Sequence, residues 1–124
     1  MDRLVELLTP VAPPALSVAA REAGCSSAGI RSLERENRIV RLEDDLAWAF
    51  PTYRDLAARA LAMAGAAPLT PAAYRDATGT SRKYVLAILE DLDRRAILRR
   101  TPDGHVPGPR APGARATAAT ASTT

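Results

Sequence analysis

The chain has 124 residues, 47% hydrophobic and 25% charged, the composition of a globular protein long enough for one ordinary domain or two very small ones. Only 4% are aromatic, so Leu, Ile, Val and Ala must build a thin core, which favours short packed helices over a large sandwich. No run approaches the roughly 20 apolar residues of a membrane span, acids follow Met1 where a signal peptide is apolar, and one cysteine with one histidine excludes an internal disulfide and a zinc set. The expectation is a cytoplasmic protein with no membrane contact, no metal and no cofactor.

Asp2 to Leu8 reads as a short helix, Thr9 to Pro14 as a proline-broken loop, and Ser17 to Ala23 as a second helix with Ser17 as N-cap and Gly24 as its stop. Ser26 or Ser27 caps a third helix in which Ile30 and Leu33 share a face, and Asn37 supplies a left-handed stop. Two strands follow, Ile39 to Leu42 and Leu46 to Phe50, joined by the acidic turn Glu43-Asp44-Asp45, with Trp48 buried beneath the hairpin. Helix, helix-turn-helix and hairpin in this order predict a winged helix over residues 1–50.

Pro51, at an N1 position, opens the next helix. Thr52 to Ala64 spaces Tyr53, Leu56, Ala57, Ala60 and Leu61 for a buried stripe, and Gly65 is expected to stop it. Leu69 reads as a lone bridging strand residue, Thr70 and Pro71 as an N-cap and N1 pair for a helix to Thr78, and Gly79 as a tight turn. Ser81 then caps what should be the longest helix, with Val85, Ile88, Leu89 and Leu92 on its apolar face. Ile97 to Thr101 and His105 to Val106 are strands around the turn Pro102-Asp103-Gly104. The same order of elements thus occurs twice, predicting a second winged helix over 51–107. Residues 108–124 offer little to bury and predict a disordered tail. The expected fold class is mainly α with small β wings: two tandem winged-helix (helix-turn-helix) domains plus that tail.

The net charge of +3 is unevenly spread. Residues 1–64 carry eight arginines against nine acids, net −1, and residues 65–124 carry nine basic residues against five acids, net +4. A polyanionic partner therefore belongs to the second half. In its long helix the first turn presents Ser81, Arg82 and Lys83 outward. Backbone N–H groups, a hydroxyl and two cations there suit phosphate, and the cations lie at the dipole end where intrinsic helix stability would not place them. Arg94 and Arg95 close the helix and are assigned to structure, Arg94 pairing with Glu90. One of Arg99 and Arg100 must face the groove between hairpin and helix, because neighbours on a strand point to opposite sides. His105, next to the wing tip, reads equally as a residue that stacks on a base or touches phosphate and as a plain exposed loop histidine. Glu34 and Glu36 mix with Arg31 and Arg35 in the first unit and its hairpin turn is acidic, a poor grip on phosphate that reads as a spacer or protein-docking unit.

The run Tyr74-Arg75-Asp76, then Gly79-Thr80-Ser81-Arg82-Lys83-Tyr84, then Leu89-Glu90-Asp91-Leu92-Asp93 and Ile97-Leu98-Arg99-Arg100 resembles the fourth winged-helix domain of SelB, the selenocysteine-specific elongation factor. The resemblance covers roughly residues 66–106, and the first unit resembles more loosely the winged helix before it. It implies a domain that grips an mRNA stem-loop, the selenocysteine insertion element, with the helix start and the wing holding backbone and a flipped loop base. That fits Ser81, Arg82, Lys83 and the stretch from Arg99 to His105. Physically, A-form RNA hides its base edges in a deep, narrow groove, so a small domain reads phosphate geometry and unstacked loop bases instead. The wing departs from the family, with Thr101-Pro102-Asp103-Gly104-His105 where a shorter Gly-Asp turn is usual.

The chain holds no G-x-x-x-x-G-K-[ST] loop, so the GTPase portion that such a factor carries is expected outside it, as a separate partner beside the ribosome. Asp91 and Asp93 project to different sides of a helix and Cys25 has no histidine nearby, so no catalytic set assembles and the chain is expected to be a monomeric, non-catalytic module. Two competing readings remain from sequence: a DNA-binding transcription regulator with Arg82 and Lys83 in a major groove, and a protein-interaction module that binds no nucleic acid.

Overall fold

The computed structural model describes residues 2–111. The first half contains α1 (Asp2–Leu7), α2 (Leu16–Ala23), α3 (Ser27–Arg35), β1 (Ile39–Glu43) and β2 (Leu46–Ala49). Helix α3 starts where Ser26 Oγ accepts the Gly29 N–H at 3.1 Å, satisfying one of the orphan donors of a first turn. Helix α2 stops at Gly24, whose φ of 67° few other residues adopt cheaply. Ser17 is not its N-cap: Ala15 occupies that place without a side-chain bond. The cap comes from the β1–β2 turn, where Asp45 accepts the Ser17 N–H at 2.6 Å and its hydroxyl at 2.9 Å. The Asp45 backbone carbonyl takes the Leu16 N–H at 2.9 Å. Those Ser17 bonds, more than the nearby Lys83 and Arg41, lower the Asp45 carboxyl from its ordinary range.

The second half contains α4 (Phe50–Ala66), α5 (Pro71–Thr78), α6 (Arg82–Arg94), β3 (Leu98–Thr101) and β4 (Gly104–Pro107). At 17 residues α4, not α6, is the longest helix, and it runs through Gly65 rather than stopping there. Its end is set by Pro68, which pushes the preceding Ala67 into extended geometry (φ −164°, ψ 157°). Helix α5 has its expected cap, Thr70 Oγ1 accepting the Ala73 N–H at 3.2 Å, and its left-handed stop at Gly79. Leu69 bridges His105 through paired backbone bonds of 2.8 Å each, so the hairpin gains a one-residue third strand. Gly104 is required beside that bridge. Its φ is 137°, and an added Cβ would lie 2.8 Å from the Leu69 carbonyl oxygen.

The two halves repeat a helix ending. Asn37 (φ 58°) follows α3 and Ala96 (φ 60°) follows α6, both left-handed. In each, the next N–H returns to the helix, Arg38 to the Leu33 carbonyl and Ile97 to the Leu92 carbonyl. Antiparallel hairpins follow, Val40 opposite Trp48 in the first and Arg100 opposite His105 in the second. The described residues are mostly helical with these two small strand pairs, the content of a winged helix.

What joins the halves is the first hairpin. All four residues of β2 are buried, and by strand alternation they serve two cores. Ala47 and Ala49 join Leu4, Leu8, Leu16 and Leu33 on one side, while Leu46 and Trp48 join Leu56, Val85, Ile88 and Leu92 on the other. Trp48 is buried as expected, yet its ring packs on Tyr84 of α6, 5.6 Å between centroids. Its indole N–H has no partner, which costs roughly 1–3 kcal/mol. Contact with β1 also widens the buried arc of α6. Ala87, which lies off the stripe of Val85, Ile88, Leu89 and Leu92, is 3% exposed and forms a second stripe with the half-buried Tyr84 and the buried Asp91.

The first four residues of the expected tail are packed on the fold. Gly108 donates to the Ile97 carbonyl, Arg110 to the Ala96 carbonyl, and Ala111 is buried, so 108–111 pack along the turn after α6. A Cβ on Gly108 would meet the Ala96 carbonyl oxygen at 2.4 Å. The rest of the expected tail, 112–124, lies outside the described residues.

Candidate nucleic-acid interface

Gly79 turns the chain from α5 into α6, and Ser81, Arg82 and Lys83 follow, all exposed. Ser81 holds the N-cap position with extended geometry, but its side chain makes no capping bond, contrary to the expected cap. The first N–H groups of α6 are therefore not closed by that hydroxyl, and the helix dipole favours an anion in front of them. Among the described residues neither Arg82 nor Lys83 has an acidic partner within 4 Å, unlike Arg3, Arg38 and Arg41 of the first half.

The two cations diverge. Arg82 lines a groove of about 320 Å³ between α5 and α6 with Thr70, Pro71, Arg75 and Leu86. Lys83 lies 5.9 Å from the centre of the Tyr84 ring and near enough to Asp45 to help hold that carboxyl ionised. Arg75 was not singled out as a contact in the sequence, because only the packing of α5 against α6 brings it beside Arg82.

The hairpin leaves the other end of α6, a 13-residue helix about 20 Å long. Arg99 and Arg100 are both exposed. Register separates them: Arg100 pairs with His105 and shares the face of buried Leu98, while Arg99 pairs with Val106 on the opposite face. Arg100 is thus the one on the side of the hairpin turned to the helices. His105 is not available at the wing tip, for it is only 7% exposed. Its Nδ1 lies 3.0 Å from Asp93 Oδ1, and both of its backbone groups bond Leu69. Burial and these three bonds make it a fastening between β4, α6 and the α4–α5 connection, which corrects its expected exposure.

Asp91 is the polar residue whose importance local sequence hid. It is 3% exposed and accepts from the Tyr53 hydroxyl at 2.6 Å, from Arg94 at 3.2 Å and from Arg95 at 3.0 Å. Arg94 therefore pairs with Asp91 rather than with Glu90. Burial, reinforced by the neighbouring Asp91 carboxylate, pushes the Tyr53 phenol well above its ordinary value. Both arginines serve structure, as expected, which leaves Arg75, Arg82, Lys83, Arg99 and Arg100 as the cations from α5 to β4 without an acidic partner within 4 Å; among the other described residues Arg21, Arg31, Arg35, Arg59 and Arg110 also lack one. No group of three His, Cys, Asp or Glu there is placed to hold a metal ion.

Residues 62–106 match the family model described as the winged helix of elongation factor SelB, from the last turn and a half of α4 to β4. This part of the chain is similar to the SelB winged helix. The model counts it third among the SelB winged helices, where the motifs pointed to the fourth. A solved structure with the same fold is the mRNA-binding domain of elongation factor SelB from E. coli in complex with SECIS RNA. The TM-score is 0.70 at 22% identity, over 84% of this chain and 90% of that chain. No curated protein matches the chain in sequence. Within the matched stretch, Ser81, Arg82 and Lys83 open the helix that follows the tight turn, and Arg99 and Arg100 stand on the wing.

Proposed function

We propose that the chain is the RNA-gripping part of a selenocysteine-specific elongation factor, built from two tandem winged helices and holding an mRNA stem-loop, the selenocysteine insertion element. The observation that carries this reading is the SelB family match across the element that bears the unpaired cations, supported by a same-fold neighbour whose structure contains SECIS RNA. Ser81, Arg82 and Lys83 meet phosphate at the start of α6, Arg75 lines the adjoining groove, and Arg100 or Arg99 meets the stem from the wing. His105 sets the wing and touches no RNA. The first winged helix docks its hairpin on the second, and its net negative charge makes it the poorer grip on phosphate. The module is a non-catalytic monomer of the cytoplasm, and the GTPase activity of such a factor belongs to a separate portion.

Gel-shift titration with a hairpin RNA and a DNA duplex of equal length tests the reading. Preference for the hairpin is expected; preference for the duplex supports a transcription regulator, and binding of neither at low salt supports a protein-interaction module. Replacing Arg82 and Lys83 by Ala should weaken hairpin affinity and reduce the log-log salt slope by about one per lost phosphate contact. An unchanged slope removes these residues from the interface.

A further inference from the structure

The proline-broken loop of the first half, Thr9 to Ala15, is in contact with the start of α6. The Thr80 hydroxyl donates to the Val11 carbonyl at 2.6 Å, and Thr80 is only 4% exposed. The Tyr84 phenol donates to the Pro13 carbonyl, while its ring lies against buried Trp48. These two residues stand immediately before and after Ser81-Arg82-Lys83, so the exposed cationic turn is bracketed by bonds to the other half of the molecule. The loop itself is pinned at both ends: the Thr52 hydroxyl holds the Thr9 carbonyl at 2.6 Å, and the Asp45 carbonyl holds the Leu16 N–H at 2.9 Å. Pro10, Pro13 and Pro14 each fix φ and remove a donor, which leaves the loop little freedom and leaves its carbonyls as acceptors.

We infer that this loop is a strut that sets the position of the RNA-facing turn, with Thr80 and Tyr84 as positioning residues that touch no RNA themselves. The inference rests on the RNA reading above and adds a role for the first unit. It is the brace of the second unit's grip, and more than a spacer. The physical need is plain: Ser81 closes none of the α6 donors, so the direction of those N–H groups and of the adjoining cations depends on how firmly the turn is held from outside. A recognition site works only when neighbouring bonds hold it within a fraction of an ångström of its productive geometry.

Thr80→Val and Tyr84→Phe delete the two hydroxyls while keeping nearly the same side-chain shape. Two measurements decide: hairpin affinity over a range of salt concentrations, and amide hydrogen exchange of residues 81–85 in the protein without RNA. The double variant should bind roughly fivefold to tenfold more weakly, the size of an ordinary coupling between sites. Its salt slope should stay that of the wild type, since no cation is lost, and its 81–85 amides should exchange faster. Thr80→Ser, which keeps the hydroxyl, should restore affinity and protection, and the Thr80→Val and Thr80→Ser pair decides if the double variant fails to fold. Wild-type affinity with wild-type exchange in the hydroxyl-deleted variants overturns the strut. If the wild-type chain binds no hairpin, the RNA reading fails, and the exchange measurement still decides whether the loop holds the turn.

Discussion

Replacing Tyr53 by Phe deletes one oxygen and leaves the ring between α4 and α6. In the wild type that hydroxyl donates to buried Asp91 at 2.6 Å, a bond to an ionised acceptor. Such bonds contribute about 1.5–3 kcal/mol, about twice a neutral pair. The Arg94 and Arg95 side chains are half or more exposed, so they remain to neutralise Asp91 but are screened by water. At about 4 °C per kcal/mol for a domain of this size, the melting temperature should fall by roughly 6–12 °C. Tyr74→Phe is the control. Its hydroxyl is also buried but donates at 2.7 Å to the neutral Leu56 carbonyl, so about 0.5–1.5 kcal/mol is at stake. Thermal unfolding followed by circular dichroism ranks the two variants. A Tyr53→Phe protein that melts with or above Tyr74→Phe refutes the claim that the Asp91 cluster is what ties α4 to α6.

Ala96→Gly should stabilise the fold by about 0.5–1 kcal/mol, because a left-handed Ala costs about 1–2 kcal/mol and the added chain entropy of Gly returns part of it; a lower denaturation midpoint in urea would count against this. Ending the chain at Pro107 should lower the melting temperature, because it removes two backbone bonds to the Ala96 and Ile97 carbonyls and the burial of Ala111; melting at the wild-type temperature would show that 108–111 contribute nothing. All three tyrosines have phenol pKa values raised by burial, so the folded chain keeps them neutral while the unfolded chain ionises them. Their stabilisation is complete below about pH 10 and falls as pH rises beyond it, so phenolate absorbance should appear together with unfolding. A gradual phenolate signal from a still-folded chain would show the rings to be accessible.

Much of the fold was legible because its signals are local. Thr70 with Pro71, Gly79, Gly24 and Asn37 act through their own φ or through bonds a few residues away, and each sits where the pattern placed it. The stripe Val85, Ile88, Leu89 and Leu92 was readable for the same reason, since helical periodicity is a property of neighbours. Exposure of Ser81, Arg82 and Lys83 was legible too, as they lie off that stripe.

What depended on distant contacts was not. Nothing near Ser17 says that Asp45 will cap its helix, and nothing near Gly65 says that a helix tolerates it until Pro68 ends the run. His105 was read as a wing-tip residue because sequence shows its neighbours along the chain, whereas its surroundings are Leu69 and Asp93. The amino-acid sequence alone determined the elements, their order, and which side of α6 carries unpaired cations. Only tertiary structure decided that β2 serves two cores at once, that Asp91 gathers three donors, and that a loop from the first half grips the turn before α6. The reason is that periodicity and caps are written in adjacent residues, while burial depends on which surface arrives from far along the chain.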